Sequence, residues 1–251
     1  MSTTSGLCGN TLKLMDEIVE SLQASGISAE QLHTVEANQL QIATGPSSPM
    51  DAIGALMYTH ECVKHISVRY GLRATMAPKT FREDLCTGAH AHLSIHPLSG
   101  HEFLAGILEN LQALCALGMP SYDSYSRVTG YWNAAGTWVT WGTENRFVPV
   151  RCIQTASLEL RYSDATTNFY LALLMTLAAG MQGLKKKTPL EHDDCQYNPF
   201  RLGEKERKDL GIVHQLLASM KEGIKMKESS HMNATLGNSM KQHYIIMREL
   251  D

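Results

Sequence analysis

The stretch Leu158–Gly180, LELRYSDATTNFYLALLMTLAAG, decides how the rest of the chain is read. It opens in strand fashion, with Leu158 and Leu160 alternating with Glu159 and Arg161. Successive strand side chains leave opposite faces, so Glu159 and Arg161 share one. A carboxylate and a guanidinium on one face can complete a metal site, clamp an anion, or form an ordinary cross-strand ion pair. After Asn168 the chain reads as almost wholly helical, including ERKDLGIVHQLLASMKEGI (206–224) and a last helix ending near Leu250.

Upstream, GAHAHLSI (88–95) reads as another strand in which His90 and His92 leave the same face. Two adjacent imidazoles can bind a metal, orient a phosphate, or hydrogen-bond within a core. Arg127, Arg146 and Arg151 lie among turn residues and aromatics in SYSRVTGYW (124–132) and WGTENRFVPVR (141–151). Several arginines around one pocket suit carboxylate or phosphate, because the planar fork meets two oxygens at once. The plainer alternative is that they decorate loops. Trp132, Trp138 and Trp141 serve either as core or as one wall of a small-molecule pocket.

Working outward, residues 11–25 carry Leu12, Met15, Ile18, Val19 and Leu22 at helical spacing, with Gly26 as a stop. LHTVEANQLQIATG (32–45) reads as extended, with Leu40 and Ile42 on one face and Gln39 and Gln41 on the other. Ser48-Pro49-Met50-Asp51 is a helix start. The helix it opens places Ile53, Leu56, Met57, His60, Val63 and Ile66 on one stripe, and Gly71 ends it. LRATMAP (72–78) is expected as a strand, and Phe103 through Leu114 as one apolar helix. The simplest architecture is a single α+β domain over 1–251, with long helices packed against a mainly antiparallel sheet.

The composition, 43% hydrophobic and 19% charged, is that of a globular protein, and a formal charge of −3 offers no basic field for nucleic acid. The cluster Lys185–Lys187 reads as the solvated end of a helix. No apolar run reaches membrane-spanning length, so no membrane partner is expected. The six cysteines are scattered without a CxxC pair, and no signal peptide is visible, which predicts a reducing, cytoplasmic setting.

DSYSRVTGYW (123–132), WGTENRFVPVR and LELRYSDATTNFYLALLMTLAAG follow one another as they do in the glutamine synthetase superfamily. GLRATMAPK (71–79) leading into GAHAHLSI, and LGNSMKQHYIIMRELD (236–251), resemble that family's metal-histidine segment and closing helix. The resemblance covers roughly residues 30 to 251, and Trp132 through Trp141 with the NR…VR arginines look most like the FluG-type branch. It implies the family's catalytic-domain fold, a curved, mainly antiparallel sheet forming a partial barrel flanked by long helices. It also implies an acyl-phosphate ligase chemistry driven by ATP with Mg²⁺ or Mn²⁺. His90 and Glu159 would match ligands of one ion, and His92 would lie beside the nucleotide. Arg127 and Arg161 would hold substrate carboxylates, while Arg146 and Arg151 would steady the transferring phosphoryl group.

The departures shape the functional expectation. Nothing before Leu12 matches the family's β-grasp domain or the strand with two metal-binding glutamates that follows it. Two further glutamates of the pattern fall on Thr34 and Gln41, its glycine on Asn38, with Glu36 as a possible replacement. The flap glutamate has Trp132 near its place. A shortened chain with an incomplete metal site, His90 and Glu159, is therefore expected, since hard dications want anionic oxygens. The leading expectation is an altered enzyme acting on a carboxylate-bearing small molecule by acid/base chemistry. His90, His92, Glu159 and Arg146 would be catalytic, and Arg127, Arg151, Arg161 and Trp132 would bind substrate. The alternatives are an ATP-dependent carboxylate–amine ligase and a non-catalytic or split-enzyme subunit. A homo-oligomer, or a partner chain supplying the N-terminal region, would complete the assembly.

Overall fold

The computed structural model describes residues 9–35, 39–81, 85–95, 101–128, 136–153, 157–226 and 229–249. Two compact units emerge: Met1–Met76 with Thr80–Leu85, and Ala77–Lys79 with Cys86–Asp251.

In the first unit, α1 (Asn10–Ala24) buries Leu14, Met15, Ile18 and Leu22, a stripe one turn apart. Leu12, expected on that stripe, points to solvent, and Leu14 takes its place. Strands β1 (Ala29–Val35) and β2 (Gln39–Thr44) pair antiparallel, with Leu32 opposite Ile42 and Thr34 opposite Leu40. Leu40 and Ile42 pack on the core of Leu14, Ile18, Leu22, Cys62, Val63 and Ile66, as the alternation requires. Helix α2 (Pro49–Arg69) starts where Ser48 Oγ accepts from the Asp51 N–H, with Pro49 in the first turn. Ile53, Val63 and Ile66 are buried along it, whereas Met57 is exposed. Residues 72–78 carry no strand, because alternation alone is not enough without a neighbouring strand to pair with.

The second unit is built on a four-stranded sheet of β3 (Ala91–Ser94), β4 (Trp141–Thr143), β5 (Val150–Ile153) and β6 (Ser157–Leu160). The spatial order is β3-β6-β5-β4; β6 runs antiparallel to both neighbours, and β4 is parallel to β5. Trp141, Val150, Leu158 and Leu160 face the main core, joined by Ala91, Leu93 and Cys152. Behind them lie α3 (Glu102–Glu109), α4 (Leu111–Gly118) and α5 (Phe169–Lys186). The expected single helix over 103–114 breaks at Asn110, whose side chain donates to Gly106 O at 2.9 Å and competes with the helical ladder.

Helices α3 and α5 meet backbone to backbone through glycines. A Cβ on Gly183 would stand 2.1 Å from Glu102 O and 2.8 Å from the Gly106 Cα. Neither obstacle is a side chain that can rotate away. Gly183→Ala should therefore destabilise the unit by about 2–3 kcal/mol, the overpacking range. A lower urea midpoint at unchanged slope would register it.

After α5 the chain is less helical than expected. Lys185 to Lys187 form its solvated end, with Lys187 in the left-handed region. Residues 188–203, which include Pro189 and Pro199, run irregularly before the short α6 (Glu204–Asp209). Helix α7 (Met220–Lys225) and helix α8 (Ser230–Glu249), interrupted at Gly237, close the chain. Among the described residues no helix is long and apolar enough to cross a membrane. The described cysteines, Cys62, Cys86, Cys115, Cys152 and Cys195, are free thiols, and burial pushes Cys115 far up from its ordinary value.

Candidate active site on the polar face of the sheet

The strand period that turns Leu158, Leu160 and Val150 into the core turns their neighbours the other way. In the ladder His92 stands opposite Glu159, Glu159 opposite Arg151, and Arg151 opposite Gly142. Residues directly opposite share a face, as do residues two apart. His90, His92, Glu159, Arg161 and Arg151 therefore assemble on one face, from strands far apart in the chain. Gly142 leaves room there for a crossing segment: a Cβ on it would lie 2.2 Å from Cys195 O.

Glu159 is the hub, with its side chain only 5% exposed. Oε1 accepts from His90 Nδ1 at 2.9 Å and from Arg161 Nη1, and Oε2 accepts from Arg151 Nη1 at 2.8 Å. Burial alone would raise its pKa. The His90 hydrogen bond and the Arg161 charge outweigh burial and hold the carboxyl well below the usual range. His90 behaves oppositely. Burial, then the Arg161 and Arg127 charges, bring its pKa down to about 4 against the pull of Glu159. The imidazole is thus neutral near pH 7, with the Nδ1 proton held by Glu159. It stays 26% open, and its Nε2 lies beside Gly88, where a Cβ would sit 2.6 Å away.

Arg151 pairs on its second nitrogen, Nη2, with Glu144. Burial opposes its charge, but the hydrogen bonds to Glu144 and Glu159 prevail and raise its pKa. Arg161 is lowered, chiefly by burial, and the charge of Arg146 reaches it. Arg146 itself is exposed, as is His92. The loop that carries Glu144 and Arg146 is pinned by Asn145, whose amide donates to Cys195 O at 2.7 Å and Tyr197 O at 2.8 Å. Thr143 N–H donates to Asp194 Oδ1 at 2.7 Å, and the Trp141 indole donates to His192 O at 2.9 Å.

Arg127 is placed differently from its expected role. It ends a 3-10 turn (Tyr122–Arg127) and has no exposed surface. Its guanidinium donates to Thr87 O at 2.7 Å, Arg161 O at 2.9 Å and Tyr162 O at 3.1 Å. It therefore clamps the segment before His90 to the one after Glu159. Burial draws its pKa down to about 10, with Asp164 pulling the other way. Trp132, Glu36 and Asn38 lie outside the described residues, while Thr34 and Gln41 sit in the hairpin of the first unit. Trp141 belongs to the main core, and Trp138 packs on a satellite core of Val148, Cys195 and Ile212 under the Arg207 guanidinium, 4.3 Å from the ring centre. Glu144, Asn145 and Gly88 escaped the sequence reading, since a turn glutamate beside an asparagine reads as ordinary loop chemistry.

A divalent ion does not fit this set of described residues. Among them no three His, Cys, Asp or Glu side chains gather closely enough to hold one. On this face the buried carboxylate, Glu159, is engaged on both oxygens, and two guanidiniums stand where a hard cation would want further oxygen ligands.

Comparison with known proteins agrees with this architecture. Residues 9–251 match the family described as glutamine synthetase, catalytic domain, and the chain belongs to that family. Protein FluG of Emericella nidulans is 36% identical, over 96% of this chain and 28% of its own length. The gamma-glutamylpolyamine synthetase GlnA3 of Streptomyces coelicolor is 30% identical, over 74% of this chain and 45% of its own. The glutamine synthetase of Methanocaldococcus jannaschii is 28% identical, over 94% and 56% respectively. The chain thus spans between about a quarter and just over half the length of these relatives. An ADP complex of GmaS superposes with a TM-score of 0.85 at 22% identity, covering 96% of this chain and 60% of that one, which shows the shared fold.

Proposed function

We propose that the polar sheet face binds a carboxylate-bearing small molecule and acts on it by acid/base chemistry without complete metal sites. The observation that carries this reading is the hub itself: its one buried carboxylate is saturated by Arg151, Arg161 and His90. Arg146 and the outer edge of Arg151 supply positive charge for the ligand's oxygens. His90, neutral and oriented through Nδ1 by Glu159, offers Nε2 as a proton acceptor; His92 stands on the same face to donate or accept. Arg161 keeps Glu159 ionised and thereby keeps the His90 tautomer.

The second reading is an ATP-dependent carboxylate–amine ligase using Mg²⁺ or Mn²⁺. Membership of a family that includes glutamine synthetases and a gamma-glutamylpolyamine synthetase favours it. Calorimetric titration with ATP, with Mg²⁺ or Mn²⁺ present, separates the two. The first reading expects no saturable binding at millimolar ATP, while L-glutamate or a related carboxylate binds in EDTA. Metal-dependent ATP binding that His90→Ala abolishes would overturn the first reading in favour of the ligase, to be followed by a screen of acids and amines for phosphate release.

A further inference from the structure

Arg151 is gripped by two carboxylates of very different standing. Glu159, on Nη1, is buried, while Glu144, on Nη2, is 49% exposed. Nε, on the same edge of the fork as Nη2, is buried and has no hydrogen-bond partner among the described residues. Glu144 therefore occupies that edge through one nitrogen only, whereas a free carboxylate or phosphate can take both in parallel. The backbone holds Glu144 in this position at some strain. Its φ is 53°, in the left-handed region that disfavours a glutamate. The strain is maintained by the Glu144 N–H bond to Cys152 O at 3.0 Å and by the Asn145 amide on Cys195 O and Tyr197 O. The backbone is thus fixed, and the exposed side chain is the part free to swing.

We propose that Glu144 is a specificity-determining internal anion, which occupies the outer edge of Arg151 until a two-oxygen anion of the ligand displaces it. Exchange conserves charge at Arg151 and releases Glu144 to water, so only a ligand that fills Nε and Nη2 together gains over the resting state. Neutral or single-oxygen ligands are rejected because they leave Arg151 worse paired than before. This inference deepens the proposed function and rests on it.

The test titrates L-glutamate and inorganic phosphate, separately and in EDTA, into the wild type, Glu144→Gln and Glu144→Asn. Glutamine keeps the length without the charge, and asparagine accepts the left-handed backbone. Both variants should bind the preferred anion about fivefold more tightly, the scale of one exposed ion pair removed as competitor. The arm that tightens tells carboxylate from phosphoryl recognition. Unchanged or weaker binding in both variants overturns the inference while leaving the anion-binding reading of the face in place. A large fall in melting temperature for both would make Glu144 a structural anchor and overturn it equally. Absence of binding by the wild type and by both variants would remove the anion-binding face together with the inference.

Discussion

Glu159→Ala is expected to lower the free energy of unfolding by about 3–5 kcal/mol, the range for removing one partner of a buried ion pair. The loss is large because three groups depend on this one side chain. Arg151 and Arg161 would face each other across the sheet with no intervening negative charge, and His90 would lose the acceptor that orients it. Like charges held close in a partly dry setting repel strongly. The exposed pair makes the contrast: Glu144→Gln should shift stability by at most about 1 kcal/mol. Urea unfolding of both variants and the wild type measures the difference. Equal, small shifts would mean that water screens the hub far better than its burial indicates.

Arg127→Met should cost about 4 kcal/mol or more, since three carbonyl oxygens lose a charged donor in a place without solvent. Methionine fills much of the volume, so the effect isolates hydrogen bonding from cavity formation. At a temperature where the variant is still folded, its affinity for L-glutamate should stay close to that of the wild type. That pairing distinguishes a clamp on the chain from a ligand-reading arginine. A variant with an unchanged unfolding midpoint and lost affinity would return Arg127 to the ligand.

The polar face was legible wherever a period of two could be seen locally. His90 with His92 and Glu159 with Arg161 declare a shared face within three residues of sequence, and the structure puts both pairs on the same side. Arg151 was legible only as an arginine in a suitable neighbourhood; its opposition to Glu159 is a fact of register between separate strands. Arg127 was legible only as an arginine in a turn, because no local pattern tells that its guanidinium is spent on the carbonyls of Thr87, Arg161 and Tyr162. The helix over 103–114 looked continuous because Phe103, Leu104, Ile107, Leu108, Leu111 and Leu114 keep helical spacing across it, while the break falls at Asn110, whose side chain bonds Gly106 O. Residues 188–203 and 210–219 looked helical, yet their backbone is spent elsewhere. Cys195 N–H bonds Trp141 O at 3.1 Å, and Leu216 N–H bonds Thr137 O at 3.0 Å. Such long-range partners leave no periodic trace.

The ladder that aligns β5 with β6 has a further consequence. A slip of one residue would bring Val150 or Cys152, rather than Arg151, opposite Glu159 and would turn the two alternating side-chain sets over. Leucines would then meet water, and charged groups would enter the main core. A misaligned site is therefore also an unstable sheet, and folding itself proofreads the geometry. Molecules of this protein that reach a stable state carry the hub correctly assembled, and damage to that geometry shows itself first as lost protein rather than as altered chemistry.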